Sequence, residues 1–206
     1  NISENNNVEG SLGLGHTRWA THGVPNDENS HPHLSNSGNL AIIHNGIIEN
    51  YDTIKKELIA RGYEFHSDTD TEVLVNLIEE VRKQNNCKLG YAVQMALTNV
   101  IGAYAIAVYD ISKPNEIIAA RLGSPLAIGI GEDNSEFFIA SDASPFIEYT
   151  KDAIYLDDEE LAIIKLGKDI RVRKIQDDSV VKPNIQELKL NLDQIEKGGY
   201  EHFMLK

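Results

Sequence analysis

The chain has 206 residues, 41% of them hydrophobic and 25% charged, ordinary values for a globular domain long enough to bury a substantial core. Thirty-two acidic against nineteen basic residues leave a formal charge of −13, which repels a nucleic-acid backbone or an anionic membrane surface. With no apolar run near the roughly 20 residues of a membrane span, no signal peptide in NISENNNVEG and one cysteine, Cys87, a cytoplasmic protein is expected, with neither nucleic acid nor membrane as partner.

The opening residues are polar and rich in Asn, and GSLGLGHTRWATHG reads as a strand running into an irregular loop. NLAIIHNG predicts a short buried strand ending at Asn45-Gly46, a dipeptide that favours turns. ENYDTIKKELIARG predicts a helix with Asn50 as its cap, Ile54 and Leu58 on one face, and Gly62 just past its end. In TDTEVLVNLIEEVRKQ, Thr69 and Glu72 have capping-box spacing, and Val73, Leu74, Leu77, Ile78 and Val81 recur at helical intervals. LGYAVQMALTNV predicts a third helix, closing at Gly102.

Beyond Gly102 the runs AYAIAVYD, EIIAARLG, PLAIGIG, EFFIASD, ELAIIKL and IRVRKI read as short strands joined by tight connections, hence antiparallel sheet. Helices in one half and strands in the other predict an α+β layered domain rather than an alternating one. The tail from VVKPN onward is polar, with a Pro and a Gly pair, and reads as a linker leaving the domain. The domain is expected to span 1–190, with 191–206 beginning the linker.

Five of the seven histidines fall between His16 and His44. His31 and His33 flank Pro32, and imidazoles are common metal ligands. A lone i,i+2 pair with no nearby Cys pair or H-x-x-x-H is a poor metal signature, so neither metal nor other cofactor is expected. For any single histidine, packing and hydrogen bonding within a Gly-rich loop is the simpler reading. A third reading takes the segment together with SDTDTE as a site for a zwitterionic amino acid, which needs a cation, an acid and donors for an oxyanion. Arg18, Asp70, and Asn45 with the backbone N–H of Gly46 are residues of those types. By residue type alone the three readings stand side by side.

GHTRWATHG, NSHPH, HNGIIENY and SDTDTEV, in that order, together with AARLGSPLAIGIG and FIASD, resemble the glutaminase domain of the glutamine:fructose-6-phosphate amidotransferases, the glucosamine-6-phosphate synthases. The resemblance runs through nearly the whole chain. It implies an N-terminal-nucleophile hydrolase, a four-layer α/β/β/α sandwich with antiparallel sheets. It also implies release of ammonia from glutamine through a thioester, for a sugar-isomerase domain in the same parent chain. By similarity, Arg18 grips the glutamine α-carboxylate and Asp70 its α-ammonium, while Thr21 and His22 line the pocket. Asn45 and Gly46 form the oxyanion hole, and Trp19 gates the ammonia channel. His31 and His33 are expected to order the loops, and the parent family is commonly oligomeric. Related glutaminase domains of other class II amidotransferases, or a non-catalytic glutamine-binding module, are the alternatives.

The family's nucleophile is a cysteine at the mature N-terminus, on a CGIVG-like strand, and a YRGYDSAG-like segment adds glutamine contacts. These 206 residues contain neither. Cys87, in QNNCKLG, is set between two helices and away in pattern from the oxyanion donors. The N-terminal strand is therefore expected to be absent from this chain, an upstream Cys to follow the initiator Met in the gene, and these residues alone to be inactive.

Overall fold

The computed structural model describes residues 10–17 and 23–188. Arg18, Trp19, Thr21 and His22, and the expected linker 191–206, lie outside the described residues.

In chain order the elements are β1 (His33–Leu34), β2 (Leu40–Ile48), α1 (Tyr51–Ala60), α2 (Asp70–Asn85), α3 (Leu89–Leu97), β3 (Gly102–Asp110), β4 (Glu116–Leu122), β5 (Ala127–Ile130), β6 (Phe137–Ala140), β7 (Asp152–Tyr155), β8 (Glu160–Lys165), β9 (Arg171–Lys174), β10 (Val180–Val181) and β11 (Ile185–Glu187). The larger sheet runs β1-β2-β3-β4-β8-β9-β10 and the smaller one β11-β7-β5-β6. Every pairing between these strands is antiparallel.

Alternation along the strands divides the interior in two. Leu40, Ile42, Ile48, Ile106, Val108 and Ile118 of the larger sheet pack under the helices, against Ile54, Leu58, Val73, Leu74 and Ile78. Residues of opposite phase, Ala105, Ala119, Ala162 and Ile164, meet Ile128 and Ile154 of the smaller sheet in a second core between the sheets. The layers are thus helices, sheet and sheet, the α+β sandwich the sequence predicts. Over the outer face of the smaller sheet the described residues supply a turn-rich stretch, 141–150, whose Phe146 is buried against Ala127 and Ala153. None of the described helices is long and apolar enough to cross a membrane.

Four local expectations change. β2 does not turn at Asn45-Gly46 but continues to Ile48, with Asn45 opposite Ala105 and Gly46 opposite Tyr104. The glycine serves close approach of two strands rather than a turn: at its φ of +129° a Cβ would lie 2.1 Å from the Ala103 carbonyl oxygen. Asn50 precedes α1 without a side-chain cap bond, because its amide accepts from Ile101 N–H (2.9 Å) and donates to the Asn99 carbonyl (2.9 Å), tying the helix to the start of β3. Residues 12–17 carry no strand. The polar tail contributes β10 to the larger sheet and β11 to the smaller before it leaves the described residues.

α2 is the element that places the site. Thr69 caps it, its side chain accepting from Glu72 N–H. Glu72 reaches back past the cap: its carboxylate accepts from the N–H of His66 (2.9 Å) and Ser67 (2.7 Å) and from the Ser67 hydroxyl (2.6 Å). Asn86, in the left-handed conformation at φ 45°, ends the helix.

Candidate active site

Asn45 sits on the face of β2 turned toward the smaller sheet, exposed in a cleft of about 580 Å³. The walls include His16, Ile43, Ala105, Leu126 and Ser141, so the cleft opens where the two sheets meet. Both ends of its amide are engaged. The nitrogen donates to the Ser141 hydroxyl at 3.0 Å, and the oxygen accepts from His16 Nε2 at 2.7 Å. An amide held at both ends keeps one orientation, the property a preorganised donor requires. Gly46 follows directly, closed to any side chain by the Ala103 carbonyl.

Asp70 lies on the opposite side of β2, buried as the first residue of α2. Its Oδ2 accepts from Ile48 N–H at 2.7 Å and stands 4.0 Å from His44 Nδ1, while none of the described residues donates to Oδ1. An acid in the first turn also interacts favourably with the helix dipole. Asp70 does not line the Asn45 cleft: it approaches β2 from the helix side, at the edge that the described strands leave unpaired past Ile42.

Histidines fill the space between Asp70 and Asn45. His16 Nδ1 and His31 Nδ1 are 3.1 Å apart, His31 Nε2 lies 3.1 Å from the Thr71 hydroxyl, and His44 Nδ1 lies 3.0 Å from the same hydroxyl. His33 stands edge-on to His31, ring centroids 5.1 Å apart, and reaches the Thr69 hydroxyl at 2.9 Å. His31 and His33 thus hold β1 and the loop before it onto the start of α2. Among the described residues no group of His, Cys, Asp and Glu is arranged to hold a metal ion.

The segment 18–22 is bracketed by fixed points. On one side His16 is bonded to Asn45. On the other, Gly23 (φ +73°) packs so closely that a Cβ would lie 2.5 Å from Asn29 Nδ2 and 2.8 Å from Asp68 Cβ. Asn29, 1% exposed, donates to the Val24 carbonyl (3.0 Å) and accepts from Asp68 N–H (2.9 Å), seating that end beside the α2 cap.

Cys87 is elsewhere. It is half-buried against the core beneath the helices and borders a separate cleft of about 780 Å³ with Arg61, Arg82, Lys83 and Lys113. Burial pushes its thiol above the ordinary value, the wrong direction for a nucleophile. A more voluminous cleft, about 1060 Å³ beside Ile130, Tyr149 and Lys182, contains none of the residues singled out above. Reasoning from the sequence brought out Asn45, Gly46 and Asp70 but gave no site role to His16, Thr71 or Ser141. The signal for His16 and Ser141 was their place in GHTRWATHG and FIASD; for Thr71, read only as a helix residue, there was none.

The sequence matches the model of the glutamine amidotransferase domain over residues 3–190. It is 54% identical over 206 residues to the glutamine--fructose-6-phosphate aminotransferase [isomerizing] of Bacteroides thetaiotaomicron, covering all of this chain and 33% of that protein. The proteins of the same name in Chlorobaculum tepidum and Pyrococcus horikoshii are 49% and 47% identical over 100% and 97% of this chain and 34% and 33% of their own lengths. The chain therefore spans about a third of the curated relatives it matches. Among solved structures, the glutamine phosphoribosylpyrophosphate amidotransferase from B. subtilis, complexed with ADP and GMP, is similar at a TM-score of 0.64 and 27% identity, over 79% of this chain and 34% of that one.

Proposed function

Since this chain belongs to the glutamine amidotransferase domain family, we propose that it binds glutamine in the Asn45 cleft and supports its hydrolysis to glutamate and ammonia, the ammonia serving to aminate fructose 6-phosphate. The observation that carries this reading is the Asn45 amide, pinned by His16 and Ser141 at the mouth of a cleft and followed by a glycine that admits no side chain. Identity of 54% over the whole chain to a glutamine--fructose-6-phosphate aminotransferase supports fructose 6-phosphate over other acceptors.

In this reading the Asn45 side-chain amide and the Gly46 N–H stabilise the oxyanion that forms when a thiolate attacks the glutamine amide carbon. Charge at that oxygen is larger in the tetrahedral intermediate than in the bound amide, so the two donors act on kcat more than on binding. Asp70, reached from the Asn45 cleft across the edge of β2 that β1 leaves unpaired, takes the α-ammonium through Oδ1, its other oxygen being held by Ile48 N–H. Arg18 takes the α-carboxylate as a bidentate fork. Thr21 and His22 close the pocket, and Trp19 gates the path of ammonia toward a sugar-isomerase domain of the parent polypeptide, which is commonly oligomeric in this family. The attacking thiol is not Cys87, which is half-buried beside another cleft. These 206 residues alone therefore do not turn glutamine over.

The test compares this chain with a polypeptide of the full length of its relatives. The longer protein should release glutamate from glutamine and convert fructose 6-phosphate to its 2-amino product, with Cys87→Ser leaving the rate intact, while the 206-residue chain does neither. No glutamate release by the longer protein, or release abolished by Cys87→Ser, would contradict the assignment.

A further inference from the structure

The oxyanion amide and the ammonium-binding carboxylate are linked through the interior. From Asn45 the contacts run to His16 (2.7 Å), His31 (3.1 Å), the Thr71 hydroxyl (3.1 Å) and His44 (3.0 Å), whose Nδ1 stands 4.0 Å from the Asp70 carboxylate. Thr71 is 2% exposed and His44 3%, so the links at this end are shielded from water, where hydrogen bonds hold their partners most firmly. We infer that His16, His31 and Thr71 form a one-way hydrogen-bond relay that fixes the orientation of the Asn45 amide and couples it to the Asp70 end of the pocket. The inference rests on the glutaminase reading above. It adds three positioning residues, which act through Asn45 rather than on glutamine.

The direction follows from two fixed ends. At one, the Asp70 carboxylate beside His44 Nδ1 favours a proton on that nitrogen, and His44 then donates to the Thr71 oxygen. The single Thr71 proton is left to donate to His31 Nε2. A neutral His31 with a bare Nε2 carries its proton on Nδ1 and donates to His16 Nδ1. His16 carries its own proton on Nε2. That is the nitrogen facing Asn45 Oδ1, an atom that can only accept, so the far end independently demands the same arrangement. Asn45 Nδ2 donates to Ser141 with one hydrogen and keeps the other for the cleft. Reversing any link would set two N–H groups, or two lone pairs, against each other.

Neighbouring histidines in opposite tautomers are a signature that packing alone does not dictate. Joint neutron and X-ray diffraction on the full-length protein should show deuterium at His16 Nε2, His31 Nδ1 and His44 Nδ1. Deuterium at His16 Nδ1 or His31 Nε2 would overturn the relay. Kinetics in the same protein supply the second arm. Thr71→Val should lower the glutaminase kcat about tenfold or more with KM changed less than about threefold, whereas Thr71→Ser, which keeps the hydroxyl, should stay within about threefold of the unsubstituted enzyme. A Thr71→Val enzyme with undiminished kcat, or a Thr71→Ser enzyme as slow as Thr71→Val, would refute the coupling. If the unsubstituted enzyme releases no glutamate, the glutaminase reading fails, and the deuterium positions still decide whether the relay exists.

Discussion

At its first turn α2 buries four polar side chains in succession, Thr69, Asp70, Thr71 and Glu72, whereas at its last turn Lys83 and Asn86 are exposed and Arg82 is half-buried. Burying a polar group is unfavourable unless its hydrogen bonds are replaced. At the first turn they are: Thr69 by His33 and Ser67, Asp70 by Ile48 N–H, Thr71 by His31 and His44, Glu72 by His66 and Ser67. Those partners come from β1 and the loop before it, from β2 and from the loop before the helix. The first turn is therefore fixed in place by several chain segments at once. The last turn follows commoner rules, with Arg82 paired to Asp110 at 2.7 Å and basic residues near the negative end of the helix dipole. One end is held by buried hydrogen bonds from several segments, and the other by an ion pair and the helix dipole.

The greatest loss is expected from Glu72→Ala. The N–H and hydroxyl of buried Ser67 and the part-buried N–H of His66 lose their acceptor, at a cost of roughly 2–4 kcal/mol measured by urea unfolding, and glutamine turnover falls with the displaced cap.

A smaller effect is expected at the other end from Arg82→Met. Burial alone would raise the Asp110 carboxyl, but hydrogen bonds from Ser112 and Arg82 outweigh it and hold the carboxyl below its ordinary value. A depressed folded pKa adds stability above the unfolded value, near 3.9, and that stability is lost as pH falls through the folded value. Removing Arg82 should lower stability by roughly 1–2 kcal/mol near neutral pH and move the acid unfolding limb to higher pH, with turnover intact.

The smallest change sharpens the contrast. Asn86→Gly at φ 45° should leave stability within about 0.5 kcal/mol, because glycine occupies that conformation freely and no site residue depends on it.

The helices and central strands were legible because their apolar patterns are plain: the α2 stripe at helical spacing, and the near-continuous apolar runs AYAIAVYD and ELAIIKL, fall where the sequence places them. β10 and β11 were hidden by their length, two and three residues, too few to carry a periodicity. Asn45-Gly46 misled because the dipeptide that suits a turn also suits a strand whose neighbour comes too close for a side chain. The crowding of histidines was visible in the sequence. Their contacts were not, since His16 meets Asn45 across 29 positions and His31 meets Thr71 across 40.

In the proposed reaction the Asn45 amide receives the oxyanion of glutamine hydrolysis. The direct measurement is glutamine turnover by the full-length protein carrying Asn45→Ala, with kcat and KM determined separately. Loss of the donor should lower kcat by about 10²-fold or more while KM moves less than about fivefold. A kcat equal to that of the unsubstituted enzyme, or a loss confined to KM, would contradict the claim.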